Sequence, residues 1–311
     1  MPHGKLSPAL RAAARSLRAD AVTVEVFSKL RESGVRAILL KGPSIARWLY
    51  ADGTPRPYGD TDLLVAPQTL QATSGALRDA GFREQPGVSS LTWYRRSDRS
   101  IVDVHDTLFG AESPGQEAWR ALSEGTEKMR VAGLDVEVLG RPARLLYIAL
   151  HAAQHESDGF QQPLRDLERA LRHADEQQWG EAAALATNLQ AGPTFAAGLR
   201  CHPDGARLAD RIELSDERPV MLSLRERSGR QLSVTLERLA TTPGTGARLR
   251  LLARRAAPPP EYMRWRYPAL AGRGPAGLVL AYLWRPVSTV LRLPAAIVAW
   301  RRARAGRNRS P

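Results

Sequence analysis

The stretch LLKGPSIARWLYADGTPRPYGDTDLLV, residues 39–65, contains the pattern on which the fold depends. Its apolar ends are typical of buried strands, and the Gly and Pro residues between them mark a turn and a loop. A short helical pattern in the middle begins at Ser44, a residue type that is favoured as a helix N-cap. The predicted order is a strand over 35–40, a turn at 41–43, a helix over 44–51 capped by Ser44, a loop over 51–59 and a strand over 60–67.

An acidic pair lies at the start of the second of these strands. Side chains alternate along a strand, so Asp60 and Asp62 point to one face, about 6–7 Å apart. Carboxylates this close repel one another unless a cation lies between them, and a divalent metal ion commonly fills that role. A later stretch, SIVDVHD at 100–106, puts Asp103 and His105 on one face of another strand. If the two strands pair, the three Asp side chains can hold two Mg²⁺ ions, an arrangement that supports phosphoryl transfer.

A candidate phosphate-binding turn precedes the acidic pair. Gly42 allows the backbone to approach a phosphate closely, and the N-terminus of the following helix presents free N–H groups with a partial positive charge. Lys41 and Arg56 can add positive side chains to this turn, although Lys41 can instead form a structural pair with an acid. The sequence therefore predicts a site for the triphosphate of a nucleotide next to the metal site.

The rest of the chain divides by its periodicity. The first half alternates predicted strands and helices, whereas the pattern from residue 142 onward is mostly helical. The predicted fold class is α+β: a small mixed sheet with flanking helices, then a helical domain, then a basic helical extension. The predicted domains are a catalytic core at 1–140, a helical domain at 141–240, and a proline-containing linker with an Arg-rich extension at 241–311.

Composition excludes several classes of protein. Among 311 residues, 43% are hydrophobic and 25% are charged, which is ordinary globular usage and excludes disordered, collagenous and disulfide-scaffold proteins. The single cysteine, Cys201, excludes an internal disulfide and a multi-cysteine metal site. The N-terminus shows no uninterrupted apolar run of the kind found in secretory signals, so we expect a cytoplasmic location.

The net charge of +13 is concentrated near the C-terminus. Residues 245–311 contain fourteen Arg and one acid, Glu261, whereas residues 1–244 contain 31 basic and 31 acidic side chains. A basic extension on a neutral body favours contact with nucleic acid or with the inner face of a membrane, because both surfaces carry phosphates.

The apolar segment 276–299 raises the question of a membrane span. Arg285 and Arg292 interrupt it, and a charged side chain at the bilayer centre costs about 3 kcal/mol on insertion scales, so we predict no transmembrane span. Two alternatives remain. The segment can pack as a solvated helix on its own domain, or it can lie on a membrane surface with Trp284 and Trp300 at the interface.

Taken together, the motifs are similar to those of a known family. The run at 39–65 resembles the signature of the uncharacterised bacterial nucleotidyltransferases of the polymerase-beta superfamily: a Lys-Gly turn, a helix ending near Leu-Tyr, an Arg before Asp-x-Asp, and an apolar strand. The resemblance continues in the Asp-hydrophobic-His strand at 101–105. It extends to LLYIALHAAQH (145–155) and LRDLERAL (164–171), which are similar to the helical half with its two His and one Asp.

The resemblance implies roles for particular residues. Asp60, Asp62 and Asp103 would bind the metal ions, and Gly42 and Ser44 would lie at the phosphates. Two departures concern nucleotide binding: the superfamily turn is more often Gly-Ser or Gly-Gly, and the spacing from the Gly to the acids is long in this chain.

The histidines have alternative interpretations. His105 can orient Asp103, contact an acceptor, or fill the core. His151 and His155 lie one helical turn apart, which suits a metal pair, but no third ligand is evident. Packing against the catalytic half, with Asp166 nearby on the next helix, is the simpler expectation.

The predicted function is Mg²⁺-dependent transfer of a nucleoside monophosphate from an NTP, expected to be ATP, to a hydroxyl or similar acceptor on a small molecule, peptide or protein. The alternative is a non-catalytic module of the same fold that binds a partner and contacts membrane or nucleic acid through residues 261–311.

Overall fold

The computed structural model describes residues 7–85, 91–156 and 160–217, and from there 219, 222, 239–240, 244–246, 248–249, 260, 263, 267–271 and 273–307. The chain divides into two compact units. The first contains residues 1–84 and 90–215, and the second contains residues 85–89 and 216–311. The expected boundary at residue 140 falls inside the first unit, so the three-part division remains a prediction about function.

The first unit begins with an alternating series of strands and helices. The strands are β1 (Ala37–Leu39), β2 (Thr61–Val65), β3 (Arg83–Gln85), β4 (Leu91–Arg95), β5 (Ser100–His105), β6 (Glu127–Val131) and β7 (Leu134–Val138). The helices among them are α1 (Pro8–Glu32), α2 (Pro43–Leu49), α3 (Leu70–Asp79) and α4 (Gly115–Ser123), with a 3₁₀ turn at Pro67–Thr69 before α3.

The remaining helices follow without further strands among the described residues. They are α5 (Arg141–His155), α6 (Gln161–His173), α7 (Glu176–Asn188), α8 (Gly192–Leu199) and α9 (Pro203–Arg211) in the first unit, then α10 (Pro268–Ala271) and α11 (Gly274–Arg307) in the second. No described helix is long and apolar enough to cross a membrane. The expected linker at 241–260 lies mostly outside the described residues.

The seven strands form one mixed sheet in the order β3-β4-β5-β2-β1-β7-β6. Strand β2 lies in the middle, antiparallel to β1 and parallel to β5. Strand β1 also pairs with β7 in parallel, and β6 and β7 form a hairpin. The α+β class with a mixed sheet is confirmed, and β3 and β6 are strands that the sequence reading did not include.

The two faces of the sheet carry different apolar clusters. One contains Leu63 and Val65 of β2 and packs against α1 and α3. The other contains Leu64 and packs against α2 and helices α4 to α9. Because side chains alternate, Asp62 points to the same face as Leu64, toward the helical half.

Local details explain two helix starts. Ser7 caps α1, since its side chain accepts a hydrogen bond from the Leu10 N–H at 3.2 Å. The expectation that Ser44 caps α2 is wrong. The helix begins at Pro43 with Gly42 as N-cap, and the Ser44 hydroxyl donates to the Leu40 carbonyl. Proline suits the first helical position because it lacks the N–H that would be unsatisfied there.

Candidate active site

Three carboxylates meet at the junction of β2 and β5. The parallel pairing sets Asp62 opposite Asp103, and Asp60 comes just before β2. One oxygen from each of the three side chains lies within 4.8 Å of the others. The structure thus brings together the three acids that the strand alternation placed on facing positions.

Lys41 lies between two of these acids. Its Nζ atom is 3.0 Å from Asp60 Oδ2 and 3.1 Å from Asp62 Oδ2. Lys41 follows β1, which pairs antiparallel with β2, so the lysine emerges beside the acid-bearing end of β2. The ammonium group that we expected at a phosphate is therefore an ion-pair partner of the acids, and its contact with phosphate remains a prediction.

The ionisation of this cluster is set by burial and by neighbouring charges. Burial would raise the pKa of Asp62, but the Lys41 ammonium and His105 outweigh it and lower that pKa to about 2. Burial opposes the charged form of Lys41, yet Asp62, Tyr147 and Asp60 hold its pKa well above the usual value. For Asp103, burial and the Asp62 charge both raise the pKa. Asp62 and Lys41 are thus firmly charged, whereas Asp103 holds a proton more readily than Asp62 does.

Two side chains on neighbouring strands orient the acids. His105 Nε2 is 3.4 Å from Asp62 Oδ1, so this histidine of β5 contacts Asp62. The hydroxyl of Thr92 instead donates to Asp103 Oδ1. Thr92 stands opposite Asp103 in the β4–β5 hairpin. Sequence reasoning missed Thr92: a turn at 97–99 would pair residue 96 with residue 100 and set Trp93 opposite Asp103, whereas the strands are connected by residues 96–99 and Arg95 pairs with Ser100.

Helix α5 contributes rings near the acids. Tyr147 stacks on His151 at 5.7 Å between ring centroids, and His151 meets His155 edge-on at 4.7 Å. The pKa of His151 is well below the usual value because the ring is buried and lies near Lys41 and His155. His151 is thus a neutral, buried side chain close to the site. The one group of three or more metal-ligating side chains found in the described part of the chain is the Asp trio, so the structure assembles no third ligand around His151 and His155.

Arg56 is held away from solvent by an acid of the helical half. Its Nε donates to Asp166 Oδ1 at 2.8 Å and its Nη2 to Asp166 Oδ2 at 2.6 Å. Tyr50 and Gln162 also donate to Asp166 Oδ1, at 2.8 and 2.9 Å. Arg56 therefore connects the loop before β2 to α6, and its expected contact with a phosphate stays a prediction.

The turn before α2 has the backbone that the phosphate prediction requires. Gly42 has φ +72° and ψ −121°, a conformation that side chains with a Cβ rarely adopt. A Cβ there would also lie 3.4 Å from the Tyr58 ring. Ser44 is fully buried and its hydroxyl donates to the Leu40 carbonyl, so its expected place at the phosphates remains a prediction.

The charge balance of the cluster indicates what it can bind. Three carboxylates face one ammonium group, which leaves surplus negative charge when all the acids are ionised. Asp62 Oδ2 is buried and makes the ion pair with Lys41, but it accepts no hydrogen bond of normal geometry. Carboxylate oxygens are the ligands that Mg²⁺ prefers. The residues present thus fit a divalent metal ion.

Comparison with known proteins agrees with this chemistry. Residues 3–204 match the family described as uncharacterised nucleotidyltransferase. The chain belongs to this family. A search of curated proteins finds no match.

Two solved structures are similar in part. One is the solution structure of the antibiotic-resistance factor ANT(2'')-Ia, with a TM-score of 0.42 and 13% identity over 55% of this chain and 93% of that chain. The other is an antigenic nucleotidyltransferase-like protein from Paracoccidioides brasiliensis, with a TM-score of 0.36 and 16% identity over 59% of this chain and 93% of that chain.

Proposed function

We propose that this nucleotidyltransferase family member is a Mg²⁺-dependent enzyme that transfers a nucleoside monophosphate from an NTP, ATP in the first instance, to a hydroxyl or similar acceptor. The acceptor is a small molecule, a peptide or a protein. The observation that carries the proposal is the group of three carboxylates within 4.8 Å, with more negative charge than Lys41 balances. The enzyme would work in the cytoplasm, where ATP and Mg²⁺ are abundant.

Asp60, Asp62 and Asp103 are the residues that would hold the metal, with two ions expected. When bound, the metal would offset the charge that builds up on the phosphates during transfer. Thr92 holds the Asp103 carboxylate and His105 holds the Asp62 carboxylate where β2 and β5 meet.

The reaction breaks one bond at the α-phosphorus and releases one proton from the acceptor. The acceptor oxygen attacks the α-phosphorus, the bond from that phosphorus to the bridging oxygen of the β-phosphate breaks, and pyrophosphate leaves. We assign the acceptor proton to Asp103, whose carboxylate lies beside those of Asp60 and Asp62. Lys41 is close enough to the acids to offer its ammonium group to a phosphate once a metal ion competes for Asp60 and Asp62.

The test is transfer of label from each α-³²P NTP in the presence of Mg²⁺ and host extract. Asp60→Ala and Asp62→Ala should lower transfer about 1,000-fold or more, because each removes a metal ligand. Asp135→Ala is the matched control, since Asp135 is an exposed strand acid paired with Arg130, and it should transfer label at the wild-type rate. Wild-type transfer by either site variant would show that the acids do not carry the reaction.

A second candidate is a non-catalytic module of the same fold. The observation that favours it is the position of Lys41, which already supplies a cation to the acidic pair. The two functions differ in nucleotide binding that depends on Mg²⁺. An NTP at 100 times its Kd should stabilise the enzyme by about 2.7 kcal/mol with Mg²⁺ and not without it. Absence of both this stabilisation and label transfer would favour the non-catalytic module.

A further inference from the structure

The second unit exposes an apolar stripe on its long helix. Successive turns of α11 carry large apolar side chains that are half to two-thirds exposed: Val279, Leu283, Trp284, Val287, Val290 and Leu291. At 3.6 residues per turn these positions fall within an arc of about 140° and extend for about 18 Å along the helix. A contiguous exposed stripe of this kind marks an interaction surface.

The opposite side of α11 is already in use. Ala281 and Ser288 are buried there, and Ala281 packs in a small core with Met263 and Ala271. The Ser288 hydroxyl also lies 3.3 Å from the Tyr267 hydroxyl. The helix therefore has one side fixed within its own unit and an apolar side facing outward.

The positive charge of this segment indicates which kind of partner the stripe contacts. Residues 262–311 contain ten Arg and no Asp or Glu. Exposed Arg273 and Arg301 lie beyond the two ends of the stripe. A second copy of the chain would bring two such positive surfaces together, whereas an anionic surface is attracted to them. RNA would match the charge, but aliphatic side chains contribute nothing to phosphate or base recognition.

We propose that α11 lies on the surface of a membrane that contains anionic lipids, with the stripe facing the acyl chains and the arginines at the headgroups. A helix with one apolar face and basic residues binds the interface in this way, and its affinity rises with buried apolar area and with lipid charge. Trp284 lies at one edge of the arc, where the headgroup region favours an indole ring.

The experiment measures co-sedimentation of the full-length protein with vesicles of phosphatidylcholine alone or mixed with phosphatidylglycerol. We expect binding to the mixed vesicles that weakens as salt is added. Leu283→Ser/Leu291→Ser should weaken it at least tenfold. Leu10→Ser/Leu17→Ser is the matched control because both leucines are exposed on α1, and it should bind as the wild type does.

A second measurement starts from the wild-type protein, so that the test does not depend on whether the serine variants fold. Brominated lipids should quench tryptophan fluorescence of the wild type, and Trp284→Phe should lose much of that quenching. The proposal is overturned if the wild type ignores anionic vesicles, if the stripe variant binds them unchanged, or if the stripe instead mediates dimerisation in gel filtration. It is equally overturned if a single-stranded RNA competes fully with the vesicles and binds the stripe variant normally. Label transfer by the active site is measured separately, so its outcome does not affect this test.

Discussion

Two acidic sites in the first unit are built differently. Asp166 faces one guanidinium group, and its two oxygens accept four hydrogen bonds from Arg56, Tyr50 and Gln162. The cluster of Asp60, Asp62 and Asp103 shares one ammonium group among three carboxylates, and one of its buried oxygens accepts no hydrogen bond.

The difference separates a structural acid from a binding one. A carboxylate whose charge and lone pairs are fully matched by its neighbours stabilises the fold and has nothing left for a ligand. In a cluster with surplus negative charge, the carboxylates repel one another and destabilise the fold. A bound cation removes that repulsion. The following variants test that distinction.

The largest effect on stability is expected at Asp166. Asp166→Ala should lower the free energy of unfolding by about 3–5 kcal/mol, because it leaves the Arg56 guanidinium buried without a counter-charge. Chemical denaturation measures this. Asp52→Ala breaks the exposed pair with Arg169 and should cost much less stability than Asp166→Ala. Equal losses in the two variants would contradict the structural role of Asp166.

A smaller effect is expected at Lys41. Without metal, Lys41→Met should lower the free energy of unfolding by about 2 kcal/mol, because three acids lose their only ammonium partner. Mg²⁺ should then stabilise the variant more than it stabilises the wild type, since no ammonium group competes for Asp60 and Asp62. Thermal melts across a Mg²⁺ titration measure both effects. An identical Mg²⁺ response in the two proteins would contradict competition at this position.

The pH dependence tests the buried ring next to the cluster. The pKa of His151 is lowered in the folded state, so below the unfolded value of about 6.5 the unfolded chain takes up a proton that the folded chain does not. Above that pH, His151 therefore does not lower the free energy of unfolding. Below it, the free energy of unfolding falls by up to about 1.4 kcal/mol per pH unit. Denaturation curves from pH 7.5 to 5 should show this slope, and His151→Asn should flatten it. A slope that is the same in the variant would assign the effect to another group.

The smallest expected effect, at Asp103, is a gain in the free energy of unfolding instead of a loss. The pKa of Asp103 is raised by burial and by Asp62, so its ionised form destabilises the metal-free fold at neutral pH. This destabilisation is present at pH values above the pKa of Asp103 in the folded state. It is absent at pH values below the pKa of Asp103 in the unfolded chain. Asp103→Asn should raise the free energy of unfolding by about 1 kcal/mol without metal, while reducing the stabilisation by Mg²⁺. A loss of stability in metal-free buffer would show that Asp103 is already well matched by Thr92.

The sequence was sufficient where local periodicity decides the outcome. Alternation along β2 and β5 placed Asp62 and Asp103 on one face, and the structure pairs these two positions directly. The α+β class followed from the same patterns. The partner of Arg56 was not accessible in this way, because Asp166 lies 110 residues away and only the packing of α6 brings it there.

Local rules also failed where two of them compete. Ser44 is a favoured cap residue, but Pro43 takes the first helical position with Gly42 as the N-cap, so the helix starts earlier. For Lys41 the sequence left two interpretations open, a phosphate ligand and a structural partner of an acid. Its pairing with Asp60 and Asp62 depends on the β1–β2 register, which the sequence alone does not fix.

The order of strands in the sheet has a consequence for synthesis on the ribosome. Lys41 and the three acids all lie between residues 41 and 103, but β1 is flanked by β7, and the pair Ile38 and Glu137 is nearly a hundred residues apart. Parallel pairing over such a separation is slow, because a long loop must close before the contacts form. The nascent chain therefore exposes one edge of β1 until β7 emerges. Helix α5, which brings Tyr147 and His151 to the acids, is made only after that.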